Sequence, residues 1–121
     1  DGKKADRCDG KTAPVAAFPG HWAPNTLAFA AGNIALPERY RSGAFIAFHG
    51  SWNRTEKTGY KVMHLDLDAN GEVTAMSDFL SGFLQANDKL EGRPVDLAFD
   101  ENGALFVSDD ELGRVYRVTP L

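Results

Sequence analysis

Beyond residue 13 the chain reads as short apolar runs cut by glycine, proline and aspartate, a strand-rich pattern. PVAAF at 14–18 predicts a short strand closed by Pro19-Gly20. Thr26 to Phe29 predicts another, and Pro24 excludes helix before it. PERYRSG at 37–43 predicts a turn or a single helical turn. It leads into GAFIAF at 43–48, the most hydrophobic strand-like run, and then into HGSWNRTEKTG, a long polar loop over 49–59. YKVMHLDL at 60–67 alternates, with Val62, His64 and Asp66 on one face and Tyr60, Lys61, Met63, Leu65 and Leu67 shared between core and rim. DANG at 68–71 has the composition of a hairpin turn, and EVTAMSDFL at 72–80 returns as a strand. GFLQANDKLEG at 82–92 predicts a loop with room for one helical turn.

The pattern occurs twice. LAF at 27–29 recurs at 97–99, GAFIAFHGS at 43–51 recurs as GALFVSDD at 103–110, and GYKVMHLDL at 59–67 recurs as GRVYRVTPL at 113–121. Repeated units of three or four short antiparallel strands are the signature of β-propeller blades, which need stacked neighbours to cover both faces. The expected fold is therefore all-β, with about two antiparallel propeller blades over 14–81 and 92–121 behind a flexible lead-in at 1–13. Only the first unit carries a fourth strand. Propellers close with about four to eight blades, so the chain is expected to be a piece of a longer propeller or a subunit of an assembled ring. Three copies of a two-blade unit would make a six-bladed ring. A two-layer β-sandwich competes with this reading but does not predict the repeat.

Composition narrows the setting. The chain has 121 residues, 43% hydrophobic and 25% charged, as a globular domain with a real core requires. Its net charge of −4, with no basic cluster, argues against nucleic acid and anionic membranes as partners. No apolar run approaches the roughly 18–20 residues that span a bilayer. The opening DGKKADRCDG lacks signal-peptide character and reads as the start of a cut or processed chain. The one cysteine, Cys8, is either a solvated thiol or paired outside this segment.

Several candidate sites reduce to scaffold. Asp66 to Gly71 imitates the opening of a calcium-binding EF-hand loop, but its twelfth position is Ser77 where a bidentate glutamate is needed. Asn53-Arg54-Thr55 is a glycosylation sequon, a match common by chance. Asp109 and Asp110 point to opposite faces of a strand, so they are expected as solvated loop acids, with one of them still able to orient a site residue. HGSWNR at 49–54 remains. Trp52 stacks on a ring, Arg54 pairs carboxylates in bidentate fashion, and Asn53 with His49 bonds carbonyls or ring nitrogens. That mixture suits a planar, anionic, aromatic ligand, and Arg93 at a rigid Gly-Arg-Pro turn offers a second guanidinium.

PVAAFPGHWAPNTLAF, PERYRSGAFIAFHGSWNR, GYKV and GRPVDLAFDENGALFVSDD together resemble the C-terminal part of the glucose/sorbosone dehydrogenase family. The resemblance is strongest to its sorbosone or pyranose dehydrogenase branch, quinoproteins that use pyrroloquinoline quinone (PQQ). It implies a six-bladed propeller with PQQ and calcium at the channel mouth, oxidising sugars, polyols or aldehydes in the periplasm or outside the cell. It implies that His49, Trp52, Asn53 and Arg54 face the PQQ pocket, that Arg93 meets a PQQ carboxylate, and that His21 and Trp22 line the rim. Val95 stands where other branches carry a second arginine, so that contact must come from elsewhere, with Arg54 the candidate. The catalytic histidine base and the main calcium ligands of the family belong to upstream blades, so no catalytic or metal residue is expected here. The implied partners are a sugar or aldose, an electron acceptor, and the missing blades or further copies of the chain. The alternative is a non-catalytic propeller module for binding or self-assembly. A calcium-dependent lactonase would need more channel-directed acids than the chain has.

Overall fold

The computed structural model describes residues 9–30 and 35–120. Cys8, most of the expected lead-in and Leu121 lie outside the described residues. The first sheet contains β1 (Pro24–Phe29), β2 (Ala44–Phe48), β3 (Lys61–Leu67) and β4 (Val73–Leu80), antiparallel and in chain order. The second contains β5 (Pro94–Phe99), β6 (Leu105–Asp109) and β7 (Arg114–Val118), also antiparallel and in chain order. The described residues are all-β apart from a 3₁₀ turn at Glu38–Tyr40, on the stretch expected to make one helical turn. Among the described residues no helix is long and apolar enough to cross a membrane.

The two sheets pack face to face through a core of Phe45, Ala47, Val62, Leu97, Leu105 and Val107. Phe45 is its hub, with its ring centroid 4.8 Å from that of Phe79 and 5.5 Å from that of Phe99. The other face of the first sheet carries a second core of Ile46, Phe48, Met63 and Leu65, covered by Ala16, Phe18 and Trp22. With both faces covered, every residue of β2 is buried, which is why its sequence is continuously apolar. β3 shares that position: Met63 and Leu65 are buried on this second face, while Lys61 and Leu67 at its ends are half-buried.

Residues 14–18 form no strand, contrary to expectation. The segment gives its side chains to the sheet rather than its backbone, and the Phe18 ring centroid lies 4.8 Å from that of Phe48. Pro14 and Pro19 carry no N–H to donate to a ladder, which suits a strap across a face. Residues 82–92 contain no helical turn either: Leu84 and Leu90 form an antiparallel bridge, and Asp88 takes a φ of 61° at the tip.

Local chemistry fixes the connections. At the β3–β4 hairpin, Asp68 Oδ1 accepts the N–H groups of Asn70 at 2.8 Å and Glu72 at 2.9 Å. These backbone donors hold its carboxyl below the usual carboxylate range. Asp100 Oδ1 repeats the device before β6, accepting Asn102 N–H at 2.9 Å and Ala104 N–H at 2.8 Å. Both turns have the sequence Asp-x-Asn-Gly, so the EF-hand resemblance at Asp66 to Gly71 is that of an aspartate-capped turn. Gly43, at φ 84°, enters β2 where a Cβ would collide with the Leu65 carbonyl oxygen. His64 beside it is buried and bonds the Ser42 carbonyl oxygen through Nε2 at 2.7 Å.

Candidate functional site

β2 and β6 are the central strands of a repeated plan, and their following residues emerge at one end of the two sheets. Pro24 of β1 pairs with Phe48, and Pro94 of β5 pairs with Asp109, so His49 and Asp110 leave equivalent positions. The two residues meet, with His49 Nε2 2.8 Å from Asp110 Oδ1. This hydrogen bond from His49, aided by the nearby His49 and Arg93 charges, holds the Asp110 carboxyl below the usual carboxylate range.

Arg93 joins the sheets a second time. Its Nε donates to the His49 carbonyl oxygen at 3.2 Å, and Nη2 donates to the Gly50 carbonyl oxygen at 3.2 Å. Its guanidinium carbon lies 5.6 Å from the Tyr60 ring centroid. Asp109 fixes the arginine from behind: Oδ1 accepts the N–H groups of Arg93 at 2.8 Å, Glu111 at 2.9 Å and Leu112 at 3.4 Å. Oδ2 accepts the Tyr116 hydroxyl at 3.1 Å. Asp109 is therefore a buried hub, 3% exposed, and the expectation of a solvated acid is wrong for it. Buried carboxylates persist where several donors satisfy them, as here. Gly92 is required beside it, because a Cβ would sit 2.7 Å from Asp109 Oδ2 and 2.8 Å from Phe83 Cδ1.

The HGSWNR loop is anchored at its root and open at its tip. His49 N–H donates to the Ala23 carbonyl oxygen at 3.0 Å, and Gly50 N–H donates to that of Trp22 at 2.9 Å. Ser51 is buried, its Oγ accepting Thr58 N–H at 3.1 Å and its carbonyl accepting the Tyr60 hydroxyl. Gly50, at φ 87°, lies against the Tyr60 ring, leaving no room for a Cβ. Beyond Ser51 the side chains are free: Trp52 is 83% exposed, and Asn53 and Arg54 are exposed.

The five expected site residues thus divide. His49 and Arg93 come together on the shared end of the two sheets, with Asp110 as a third member. Trp52 instead lines an open cavity of about 420 Å³ with Phe18, His21, Trp22 and Pro24. Asn53 and Arg54 make no hydrogen bond or ion pair recorded among the described residues and extend from the tip. Trp22, besides lining this cavity, is held in the structure. Its ring packs 5.2 Å from Phe48, its Nε1 donates to Thr58 Oγ1 at 2.9 Å, and Lys61 Nζ lies 4.3 Å over it. A larger cavity, of about 640 Å³, lies between the ends of β4 and β7 beside Phe83, Arg114 and Tyr116, with none of the expected site residues in its wall. Among the described residues no three His, Cys, Asp or Glu side chains converge as a metal site requires.

Sequence reasoning offered Asp109 or Asp110 only as an acid that could orient a site residue, and it missed Tyr60 and the burial of Asp109 at this end. The available signal was the repeat itself, which aligns the loop after GAFIAF with the loop after GALFV.

A family model described as TrAA12-like matches residues 2–120. The chain is 40% identical over 102 residues to an uncharacterized protein of Borreliella burgdorferi, covering 84% of this chain and 27% of that protein. It is 35% identical over 124 residues to the pyrroloquinoline quinone-dependent pyranose dehydrogenase of Coprinopsis cinerea, covering 85% of this chain and 16% of that enzyme. Among solved structures, it is similar to the holo form of the pyranose dehydrogenase PQQ domain from Coprinopsis cinerea. That match has a TM-score of 0.66 and 32% identity, over 93% of this chain and 31% of that one. A calcium structure of a Trichoderma reesei protein of carbohydrate-active enzyme family AA12 matches with a TM-score of 0.63 and 27% identity, over 80% of this chain and 24% of that one. The chain therefore spans under a third of the length of each of these relatives. By the match across almost its whole length, the chain belongs to the TrAA12-like family.

Proposed function

We propose that the chain supplies part of the PQQ-binding wall of a sugar-oxidising dehydrogenase, its two sheets being neighbouring blades over 14–81 and 92–121. The observation that carries this reading is the clamp of Arg93 and Asp110 on the His49–Gly50 turn, in a chain similar to a holo PQQ domain. PQQ is a planar quinone bearing carboxylates, and the residues present suit it. Arg93 spends Nε and Nη2 on carbonyls, and Nη1 makes no hydrogen bond recorded among the described residues. Arg54 and Asn53 bring a cation and an amide to the open loop tip, and Trp52 brings an exposed ring face.

In this reading Arg93 and Arg54 bind carboxylates, Trp52 stacks on the ring plane and shields it from water, and Asn53 donates to a peripheral oxygen. PQQ, when bound, supplies a hydride acceptor for sugar oxidation. The protein's part is to hold that ring in one orientation, which the double tie of Arg93 to the loop root favours. The proposal extends to a pyranose or related sugar as substrate, in keeping with the relatives' names, and to an extracytoplasmic setting. It leaves calcium to residues outside this chain, as the family resemblance implies.

The test is a PQQ titration followed by tryptophan emission. The wild-type chain is expected to saturate. Arg93→Ala is expected to weaken affinity about 10- to 100-fold, the loss of one charge-assisted interaction of about 1.5–3 kcal/mol. Arg54→Ala is expected to weaken it about 2- to 5-fold, as for an exposed ion pair. Absence of saturable binding would favour a non-catalytic propeller module instead. Dye-linked oxidation of sugar by the isolated chain with PQQ and calcium is expected to be absent, and robust turnover would overturn the placement of the base outside it.

A further inference from the structure

The hydrogen bond between His49 and Asp110 spends the only N–H that a neutral imidazole has. Asp110 Oδ1 lies 2.8 Å from Nε2, and an ionised carboxylate accepts but cannot donate. Nε2 therefore carries the proton, and Nδ1 carries a lone pair. Among the described residues, Nδ1 has no recorded hydrogen-bond partner, and the His49 side chain remains 20% exposed. The ring sits on a turn whose two carbonyl oxygens are already held by Arg93, which fixes the backbone, and the bond to Asp110 orients the ring on it.

We propose that Asp110 is a positioning residue that fixes His49 in the Nε2–H tautomer and presents Nδ1 as an acceptor for a sugar hydroxyl. This deepens the dehydrogenase reading and rests on it for the identity of the ligand. It also changes the role expected for His49. A ring whose donor is committed to Asp110 cannot donate to a quinone or carboxylate oxygen, but it can receive a hydroxyl hydrogen. Asp110 thereby sets the sense of the His49 imidazole, although it sits 61 positions away in sequence.

The tautomer is read by two-bond proton–nitrogen correlation of the His49 ring in the full chain. The spectrum is taken at about pH 8.5, two units above the ordinary histidine value. The expected wild-type spectrum shows a hydrogen-bonded ε2 proton and a pyridine-type Nδ1. Asp110→Ala is expected to lose the slowly exchanging ε2 resonance, and Asp110→Glu to restore it. Asp110→Leu, of similar size but with no acceptor, serves in place of the alanine variant, with the same expected loss, if the latter's amide spectrum is unfolded. A δ1 proton in the wild type, or an ε2 resonance unchanged in Asp110→Ala, would overturn the proposal. With PQQ present, added glucose is expected to move the Nδ1 shift and leave the ε2 proton in place. Formation of a δ1 proton on adding PQQ alone would overturn the acceptor role. Failure of PQQ to bind would overturn the dehydrogenase reading, while the ε2 proton still decides the tautomer.

Discussion

Replacing Asp109 by alanine removes the hub that joins the start of β5 to the end of β6. Its carboxylate is 3% exposed and accepts from Arg93, Glu111, Leu112 and Tyr116. Glu111 and Leu112 are exposed, so water replaces the carboxylate at their N–H groups. The Arg93 N–H and the Tyr116 hydroxyl are partly buried and lose partners that water replaces poorly. Hydrogen bonds to a charged group contribute roughly 1.5–3 kcal/mol each, and the buried charge itself carries a desolvation cost that its removal relieves. The expected net loss for Asp109→Ala is about 2–4 kcal/mol. Asp109→Asn retains one acceptor oxygen and is expected to lose about half as much. Urea unfolding measures both, with the slope unchanged if only stability has moved. Because Arg93 holds the His49 and Gly50 carbonyls, the amide resonances of 49–51 are expected to shift in the alanine variant. A loss below about 1 kcal/mol with those resonances unmoved would refute the hub.

Gly43→Ala is expected to cost about 3 kcal/mol or more, since its Cβ meets the Leu65 carbonyl at a positive φ, whereas Gly71→Ala, at similar φ in open space, is expected to cost about 1–2 kcal/mol. Equal thermal shifts for the two variants would contradict this packing of β2 on β3. Trp22→Ala is expected to cost about 3–5 kcal/mol, and Trp52→Ala to stay within about 0.5 kcal/mol, by the same unfolding assay. Iodide is expected to quench the emission of Trp52 and spare that of Trp22. The carboxyls of Asp68 and Asp110 are held below their ordinary values, so their contribution to stability is present above the unfolded carboxylate value near 3.8. It is lost as pH falls through the lower folded values. A melting series down to about pH 2 is expected to show that loss, smaller in His49→Ala, where Asp110 has no imidazole partner.

β2, β3 and β4 fall almost where their apolar patterning puts them, because strand period and turn chemistry are local properties of the chain. PVAAF shows the limit of that logic. Its composition suits a strand, but whether it joins a ladder or straps a face depends on which backbone groups elsewhere are already paired. The two tryptophans show another limit. HWAP and HGSWNR both suggest a ligand rim, yet Trp22 is pinned by Thr58 and Phe48 while Trp52 stands in solvent. The pairing of His49 with Asp110 was the least legible feature. The repeat aligns their loops but not their side chains, and the stacking of the second sheet on the first brings them within bonding distance. Arg93 stands out in the sequence as a guanidinium at a Gly-Arg-Pro turn, and the structure adds that two of its donors hold the loop.

The central claim is that the end of the protein bearing His49, Arg93 and the HGSWNR loop is a PQQ-binding wall. A crystal structure of the chain grown with PQQ tests it most directly. The account predicts a PQQ carboxylate within about 2.7–2.9 Å of a guanidinium nitrogen of Arg93 or Arg54, with the indole of Trp52 over the ring plane. PQQ bound elsewhere, such as the cavity beside Phe83 and Tyr116, would contradict it.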